Sequence, residues 1–305
     1  MSSHLQLFFQ QLLNGLTIGM VYALIALGYT MVYGVLQLIN FAHGEVFMVG
    51  GYLALTAMAW IASIWAGAPF FVILPLILIF SMLGASLLGA CIERAAYRPL
   101  RISPKLTALI SSIGVSFVLQ NTVMLVYGSR EKSMPALLPN WQVDLHGVTL
   151  SVVQLIIFPT TIFLMLFLTF FVKKTSMGKA MRAVSENTEA ASLMGISPNK
   201  VIRATFVLGS ALAAVGGSLF AMNYGSMNFH DGYLAGIKAF TAAVFGGIGS
   251  IPGAMLGGVL LGIFEGFAAG YISSEWKDVF AFGLLVALLL FKPSGILGEN
   301  VSEKV

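Results

Sequence analysis

Length, composition and charge already place this chain in a membrane. Of its 305 residues, 58% are hydrophobic and only 9% are charged, whereas a soluble domain carries roughly 25% charged residues. The mean hydropathy is +0.92 and the formal net charge is +4. A water-facing surface needs far more charge, which excludes an ordinary soluble enzyme, a disordered protein and a nucleic-acid binder. The sequence therefore predicts an all-α polytopic membrane protein with no nucleic-acid partner.

The beginning of the chain lacks the features of a cleaved secretory signal. Residues 1–14 contain neither Lys nor Arg, so the positively charged start of such a signal is missing. Polar side chains alternate there with Leu and Phe, which favours a short interfacial lead-in. The first long apolar run, residues 15–38, predicts a retained spanning helix.

Apolar runs along the chain predict its membrane segments. A spanning helix needs about 20 mainly apolar residues. Runs of that kind cover residues 15–38, 46–66, 70–92, 106–127, 152–172, 204–222 and 252–271. Two shorter runs, 236–249 and 279–291, predict either full crossings or re-entrant half-spans. We expect eight to ten membrane segments and leave their parity open.

The basic residues predict the orientation. Residues 93–105 and 173–203 together carry ten of the sixteen Lys and Arg residues, and basic loops stay in the cytoplasm. One helix leading out and one leading back connect them, which places residues 129–147 outside. Residues 40–44 fit either a cytoplasmic hairpin or a re-entrant break.

The basic loop at residues 173–203 is the most informative segment. Its centre, residues 185–194, is rich in helix-forming residues, and Ser185 or Asn187 could cap the helix start. Gly195 stands where such a helix would end, and Pro198 follows. The pattern predicts a short cytosolic helix between basic arms, and the alternative is a loop that only fixes the topology.

No energy-converting or metal site of its own is predicted. Lys179 follows Gly178, but a phosphate-binding loop requires Gly and Ser or Thr where this chain has Lys173 and Ala180. The four histidines are scattered, the single Cys91 excludes a cysteine-cluster site, and neither H-E-x-x-H nor G-x-S-x-G occurs. If ATP drives this protein, the ATPase is a separate chain, and no cofactor is expected here.

A few polar residues interrupt the apolar runs. Asn40, His43 and Glu45 occur in NFAHGE between two predicted spans, and Glu265 lies inside a third. Ionisable residues within spans often have a function, although a lone His-x-Glu pair is also typical of a hydrogen-bonded helix junction. We keep Asn40, His43 and Glu45 as candidate pathway residues. So small a set argues against a proton-coupled carrier.

Glycine dominates the last third of the chain. Residues four apart share one helix face, so glycines at that spacing let another backbone approach closely. Two such ladders occur: Gly258, Gly262, Gly266 and Gly270, and Gly249, Gly253 and Gly257. We predict helix packing for Gly258, Gly262 and Gly266. Gly246 and Gly247 mark a break between segments, and broken helices often line a cavity, which makes them candidate pathway residues as well.

Several blocks of the sequence resemble a known family. Glu189, Ala190, Ala191 and Gly195 match the E-A-A-x-x-x-G signature of the permease subunits of bacterial ABC importers. Longer blocks resemble the permease of high-affinity branched-chain amino acid importers, LivH type: YALIALGYTMVYGVLQLINFAHGEVFMVGGY (22–52), ERAAYRPLR (93–101), LTALISSIGVSFVLQN (106–121) and KAFTAAVFGGIGSIPGAMLGG (238–258). The resemblance covers nearly the whole chain, including the ending PSGILGENVSEKV.

The resemblance implies a fold and a set of partners. It implies one transmembrane permease domain over residues 1–305, with a type II-like importer fold and a cytoplasmic coupling loop at residues 173–203. The partners would be a second homologous permease, two cytosolic ABC ATPases and a periplasmic binding protein that delivers Leu, Ile or Val. The location would be the lipid bilayer of the bacterial inner membrane.

The resemblance also implies roles for the loop residues. Glu189, Ala190, Ala191 and Gly195 would belong to a coupling helix that docks on the ATPase. We expect the two alanines to face the ATPase, because small side chains allow close approach. The family's downstream Ile-x-Leu-Pro element is absent from this chain.

Two alternatives remain open at this point. One is a permease for urea or short amides, whose sequences share the NFAHGE-type block. The other is a secondary carrier or channel, which predicts inverted repeats and midplane charges, and the sequence shows neither.

Overall fold

The computed structural model describes residues 3–65, 67, 69–101, 103–135, 142–144, 147–292 and 294–298. Among these residues the chain forms eleven α-helices and four short strands. The helices are α1 (Ser3–Leu36), α2 (His43–Ile64), α3 (Phe70–Ile92), α4 (Lys105–Tyr127), α5 (Val152–Lys174), α6 (Ser176–Glu186), α7 (Thr188–Leu193), α8 (Pro198–Tyr224), α9 (Asp231–Gly246), α10 (Ile251–Tyr271) and α11 (Lys277–Phe291). The strands are β1 (Lys132–Ser133), β2 (Gln142–Asp144), β3 (Thr149–Ser151) and β4 (Ser226–Met227). A π-helical turn (Glu93–Tyr97) and a 3-10 turn (Arg98–Leu100) extend α3.

The helices coincide with the predicted apolar runs, and the prediction of an all-α polytopic membrane protein is confirmed. Within the described part of the chain, seven helices are long and apolar enough to cross a membrane: α1, α2, α3 with its extension, α4, α5, α8 and α10. The two short runs form α9 and α11, of 16 and 15 residues.

The described part of the predicted interfacial lead-in, residues 3–14, is helical, and its position at the membrane interface stays a prediction. From Ser3 onward the chain belongs to α1, which continues for 34 residues. The polar side chains are used within the fold: Gln10 Nε2 donates to Asn14 Oδ1 at 3.2 Å and to the Thr149 carbonyl at 3.2 Å. Their amide groups therefore join the start of α1 to β3.

Two helices form the centre of the bundle. The most apolar stretches of α1 and α8 are 83% and 78% buried, whereas those of α4 and α5 are 17% buried. The outer helices present large apolar side chains such as Leu83, Phe117 and Phe163 to the surroundings. That distribution suits a bundle in which lipid surrounds α3, α4 and α5.

Helix α10 packs along α1 through small residues on both sides. The close pairs are Gly258 with Ala23, Gly262 with Gly19, and Gly266 with Gly15. The order of the pairs makes the two helices antiparallel. Gly15, Gly19 and Ala23 recur every four residues on α1, as their partners do on α10. This small-residue repeat on α1 was not predicted from the sequence. Removing side chains from both helices lets their backbones touch.

Two ends of the bundle can be told apart. The turns after α3, together with α6, α7 and the start of α8, form what we call the basic end. Strand β1, which follows α4, pairs with β4, which follows α8, so both strands lie at the opposite end. The relative placement agrees with the predicted topology, although residues 136–141 and 145–146 of the predicted exterior loop lie outside the described residues.

Residues 37–42 connect α1 to α2 and include a turn at Phe41 and Ala42. The Tyr97 hydroxyl donates to Asn40 Oδ1 at 3.0 Å, and the Phe41 backbone N–H donates to Ser112 Oγ at 3.3 Å. Tyr97 belongs to the π-helical turn at the basic end, and Ser112 lies two turns into α4. The choice between a cytoplasmic hairpin and a re-entrant break stays a prediction, because the start of α2 packs beside the middle of α4 and α8.

Candidate coupling surface and buried polar residues

An amphipathic helix, α6, begins the basic loop. The Thr175 side chain caps it by accepting from the Gly178 backbone N–H at 3.1 Å. Gly178, Met181 and Val184 point into the bundle at helical spacing, while Lys179 is exposed. A Cβ at Gly178 would overlap the carbonyl of Val172, so only glycine lets α6 fold back this tightly against the end of α5.

Asn187 separates α6 from the shorter α7. Its backbone is extended, at φ −156° and ψ 108°, and its Oδ1 accepts from the Ala190 N–H at 2.9 Å. An N-cap side chain of this kind starts a new helix. Of the two predicted caps, Asn187 is the correct one, and Ser185 lies inside α6. The predicted single helix over residues 185–194 is therefore two helices.

Gly195 ends α7 in the left-handed region, at φ +82°. The Gly195 N–H donates to the Ser192 carbonyl and the Ile196 N–H donates to the Ala191 carbonyl, both at 3.0 Å. This pair of bonds is a Schellman motif, which satisfies carbonyls that the helix end would leave free. The helix end predicted at Gly195 is where the structure has it.

The face that α7 turns outward differs from the predicted one. Ala191 is only 4% exposed and packs into the core of this chain, so the expectation that it faces the ATPase is wrong. Glu189 and Ala190 are exposed. Leu193 and Met194, which sequence reasoning missed, are 89% and 82% exposed. Their signal was an apolar Leu-Met pair inside a polar loop, since adjacent exposed apolar side chains often mark a binding surface.

Asn40, His43 and Glu45 lie in the interior of this chain. All three are at most 3% exposed. Glu45 Oε1 accepts from Ser116 Oγ of α4 at 3.0 Å, and the ring centroids of His43 and Tyr29 are 4.8 Å apart in an edge-to-face contact. The structure thus brings these candidates together at the start of α2 but closes them off from the surface.

Glycines make room for the two ionisable side chains. A Cβ at Gly28 of α1 would overlap the His43 ring, and a Cβ at Gly232 of α9 would overlap the Glu45 carboxylate. Because Gly232 lies in the first turn of α9, the Glu45 carboxylate sits where the helix macrodipole favours a negative charge. This arrangement is a tightly packed junction of α1, α2 and α9.

Gly246 and Gly247 lie at the break between α9 and α10, and residues 294–298 fill that break. The Leu297 N–H donates to the Gly246 carbonyl at 2.9 Å, and the Ile296 N–H donates to the Phe245 carbonyl at 3.0 Å. Gly247 has φ +107°, and Gly295 packs directly against it. Both candidate pathway glycines are buried in this conformation.

A buried ion pair joins α9 to α10, and two further charged residues extend it into a cluster. Glu265 accepts from Lys238 Nζ at 2.8 Å through Oε1 and from the Tyr22 hydroxyl at 2.9 Å through Oε2. Lys238 is also 2.6 Å from Asp278, and Lys277 is 3.6 Å from Glu265. The cluster joins α1, α9, α10 and α11 with two positive and two negative groups. Glu265 was singled out in the sequence, but Lys238 was missed within its apolar run.

Two connected cavities flank this cluster at the end opposite the basic end. They have volumes of about 190 and 310 Å³ and share Ile18, Tyr224, Glu265 and Lys277 as lining residues. Their walls combine both charge signs with amide and apolar groups. Within the described residues, no group of three or more His, Cys, Asp or Glu side chains could hold a metal ion.

Comparisons with known proteins agree with these features. Residues 11–289 match the family described as "Branched-chain amino acid transport system / permease component". The chain is 50% identical to the high-affinity branched-chain amino acid transport system permease protein BraD of Pseudomonas aeruginosa over 306 residues, covering 98% of both chains. It is 47% identical to LivH of Escherichia coli over 309 residues, covering 100% of both chains.

A more distant likeness links the chain to a solved structure. PsaBC from Streptococcus pneumoniae in complex with Fab aligns with 94% of this chain and 92% of its own at 13% identity, with a TM-score of 0.47. That likeness is too distant to bear on fold or function. The match over residues 11–289 and the full-length relatives are decisive, and the chain belongs to the family of branched-chain amino acid transport permeases.

Proposed function

We propose that this chain is the permease subunit of an ATP-driven importer for leucine, isoleucine and valine. Its relatives are named high-affinity branched-chain amino acid permeases over their full length, which favours this substrate class over urea or short amides. The chain is a multi-pass protein of the bacterial inner membrane and is a transport subunit without enzymatic activity. ATP hydrolysis belongs to partner chains, and a periplasmic binding protein delivers the substrate.

The observation that carries the coupling proposal is the outward face of α7. Leu193 and Met194 extend from the basic end with almost their whole side chains exposed. Burying one such side chain on a partner stabilises a complex by roughly 1.5–3 kcal/mol. The family relationship favours a groove on a cytosolic ATPase as the partner that receives these two side chains. Glu189 and Ala190 would lie at the edge of that contact. Ala191, which is buried, and Gly195, whose left-handed backbone ends the helix, then hold the shape of α7.

The arrangement of the whole complex is also proposed. The second permease would be homologous to this one, and together with two ATPases it would complete a type II-like importer. If α9 and α11 cross the membrane with the seven longer helices, the chain has nine segments, within the predicted eight to ten. The basic end would then face the cytoplasm and β1–β4 the periplasm.

We also propose that the substrate pathway passes five residues that are buried in this conformation: Asn40, His43, Glu45, Gly246 and Gly247. This proposal requires the helices around them to move. Substrate could reach them only if α2 and α9 separate, so they would belong to a state of the transport cycle that differs from this one.

The coupling proposal is tested with the assembled importer in proteoliposomes. Leu193→Glu places a charge on the apolar part of the α7 surface, and Ser192→Ala changes an exposed neighbour without altering charge. We expect Leu193→Glu to abolish both leucine uptake and the stimulation of ATP hydrolysis by loaded binding protein. Ser192→Ala should behave like wild type. Normal uptake by Leu193→Glu in a fully assembled complex would contradict the docking role of α7.

A further inference from the structure

A cationic pocket lies between the end of α3 and the start of α8. Its volume is about 420 Å³, and its charged lining residues are Arg98, Lys200 and Arg203. The described residues that line it include no Asp or Glu. The pocket also contains the N-terminal turn of α8, where the helix macrodipole favours an anion.

The positive charge around this pocket is not neutralised by the nearest acid. Glu93 is buried and already pairs with Arg101, which lies beside the pocket, and with Arg203 at 3.5 Å. Burial lowers the pKa of Arg101, Glu93 acts against that shift, and the charges of Arg98 and Arg203 add to the lowering. Glu93 thus pairs with two of the cations, and among the described residues neither Arg98 nor Lys200 belongs to an ion pair, which leaves room for an added negative group.

The pocket also reaches along the apolar part of α8. Ala204 and Val207 line it, and Val207 lies nine residues into the helix, roughly 14 Å from its first residue at 1.5 Å per residue. Beside Val207, Ser86 Oγ of α3 donates to the Val207 carbonyl at 3.2 Å. The neighbouring Leu87 is 69% exposed, so the deep side of the pocket adjoins the lipid-facing surface.

We infer that this pocket binds an anionic phospholipid, with the phosphate between Arg98 and Lys200 and an acyl chain along Ala204 and Val207. Basic pockets between helices on the cytoplasmic side are suited to such headgroups. A soluble partner would reach the cations but not Val207, which lies at membrane depth. Free phosphate shares the headgroup chemistry but would leave the apolar wall unused. The inference rests on the proposed orientation of the basic end and is independent of the transported substrate.

The test compares two variants that each lose two positive charges from the basic end. Arg98→Gln/Lys200→Gln alters the pocket, and Lys174→Gln/Lys179→Gln removes exposed charges away from it. Binding of fluorescently labelled phosphatidylglycerol to the assembled importer in phosphatidylcholine nanodiscs is measured, with unlabelled phosphatidylglycerol and inorganic phosphate as competitors. We expect affinity to fall about thirtyfold in the pocket variant and less than threefold in the control.

Each outcome decides the inference. Equal losses in both variants would show general surface attraction, and no loss in either would show binding elsewhere. Full competition by millimolar inorganic phosphate would show that the pocket binds a free anion and not a lipid. Each of these three results would overturn the proposal. If the double variant fails to assemble, Val207→Trp fills the apolar wall without touching a charge and should still weaken phosphatidylglycerol binding. Because this assay needs no transport, failure of the proposed substrate assignment would leave its result unchanged.

Discussion

The antiparallel contact of α1 and α10 should not tolerate a side chain at Gly262. A Cβ there would come within 2.5 Å of the Gly15 carbonyl oxygen and closer still to the Gly19 backbone, whereas ordinary contact begins at 3.4 Å. The atoms it would meet are backbone, so no side chain can turn away. The two helices would have to separate by about 1 Å, which forfeits a quarter to a half of the dispersion energy at each affected contact.

The size of the effect follows from two opposing contributions. Overpacking a close contact costs about 1–3 kcal/mol, while replacing glycine by alanine inside a helix gains about 0.5–1 kcal/mol. Gly262→Ala should therefore lower the free energy of unfolding by about 1–2 kcal/mol, and Gly262→Leu by more. Gly114 and Gly283 lie in helices with nothing within 4 Å of an added Cβ. At these control positions alanine should be neutral or slightly stabilising.

Thermal unfolding of the purified permease in detergent measures these differences, and leucine uptake by the assembled importer measures their consequence. Gly262→Leu should lose assembly or transport, while Gly114→Ala and Gly283→Ala should keep both. If Gly262→Ala unfolds at the same temperature as the two controls, the backbones of α1 and α10 do not touch and the packing argument is refuted.

Three further predictions follow from individual contacts. Lys238→Met leaves Glu265 and Asp278 without their shared cation and should lower the free energy of unfolding by about 3–5 kcal/mol. In the same unfolding assay, Lys238→Met/Glu265→Gln should recover much of that loss. A double variant no more stable than the single one would disprove the coupling. On a Cys91→Ala background, Ser133→Cys and Ser192→Cys should react with an impermeant thiol reagent from opposite sides of the membrane, and labelling from one side would contradict the topology. Asn187→Ala should destabilise α7 by about 1 kcal/mol and reduce leucine uptake. Asn187→Asp keeps the oxygen that caps the helix and should transport normally. Equal loss of uptake in both variants would mean that the helix cap is not the relevant feature.

The spanning helices could be predicted because each is encoded within its own segment. A run of about 20 apolar residues has one stable form in lipid, and the predicted runs coincide with seven helices. The glycine spacing on α10 likewise indicated a packed face. The partner of that face was not predictable, because Gly15, Gly19 and Ala23 of α1 lie more than 200 residues earlier in the chain.

The buried charge cluster and the facing of α7 were beyond sequence reasoning for different reasons. Lys238, Glu265 and Asp278 meet only after α9, α10 and α11 have packed together, and nothing in their spacing predicts that pairing. Helix α7 has six residues, less than two turns, so its sequence shows no periodicity that distinguishes a buried Ala191 from an exposed Ala190. The filling of the α9–α10 break by residues 294–298 also depends on tertiary packing alone.

The central claim is that this permease serves the import of branched-chain amino acids driven by a partner ATPase. The most direct measurement is ATP-dependent uptake of radiolabelled leucine, isoleucine, valine and urea by proteoliposomes that contain the permease, its partner permease, the ATPases and the loaded binding protein. The account predicts accumulation of the three amino acids only when ATP is enclosed with the ATPases, and no accumulation of urea. Uptake of urea without uptake of leucine, or leucine uptake without ATP, would contradict it.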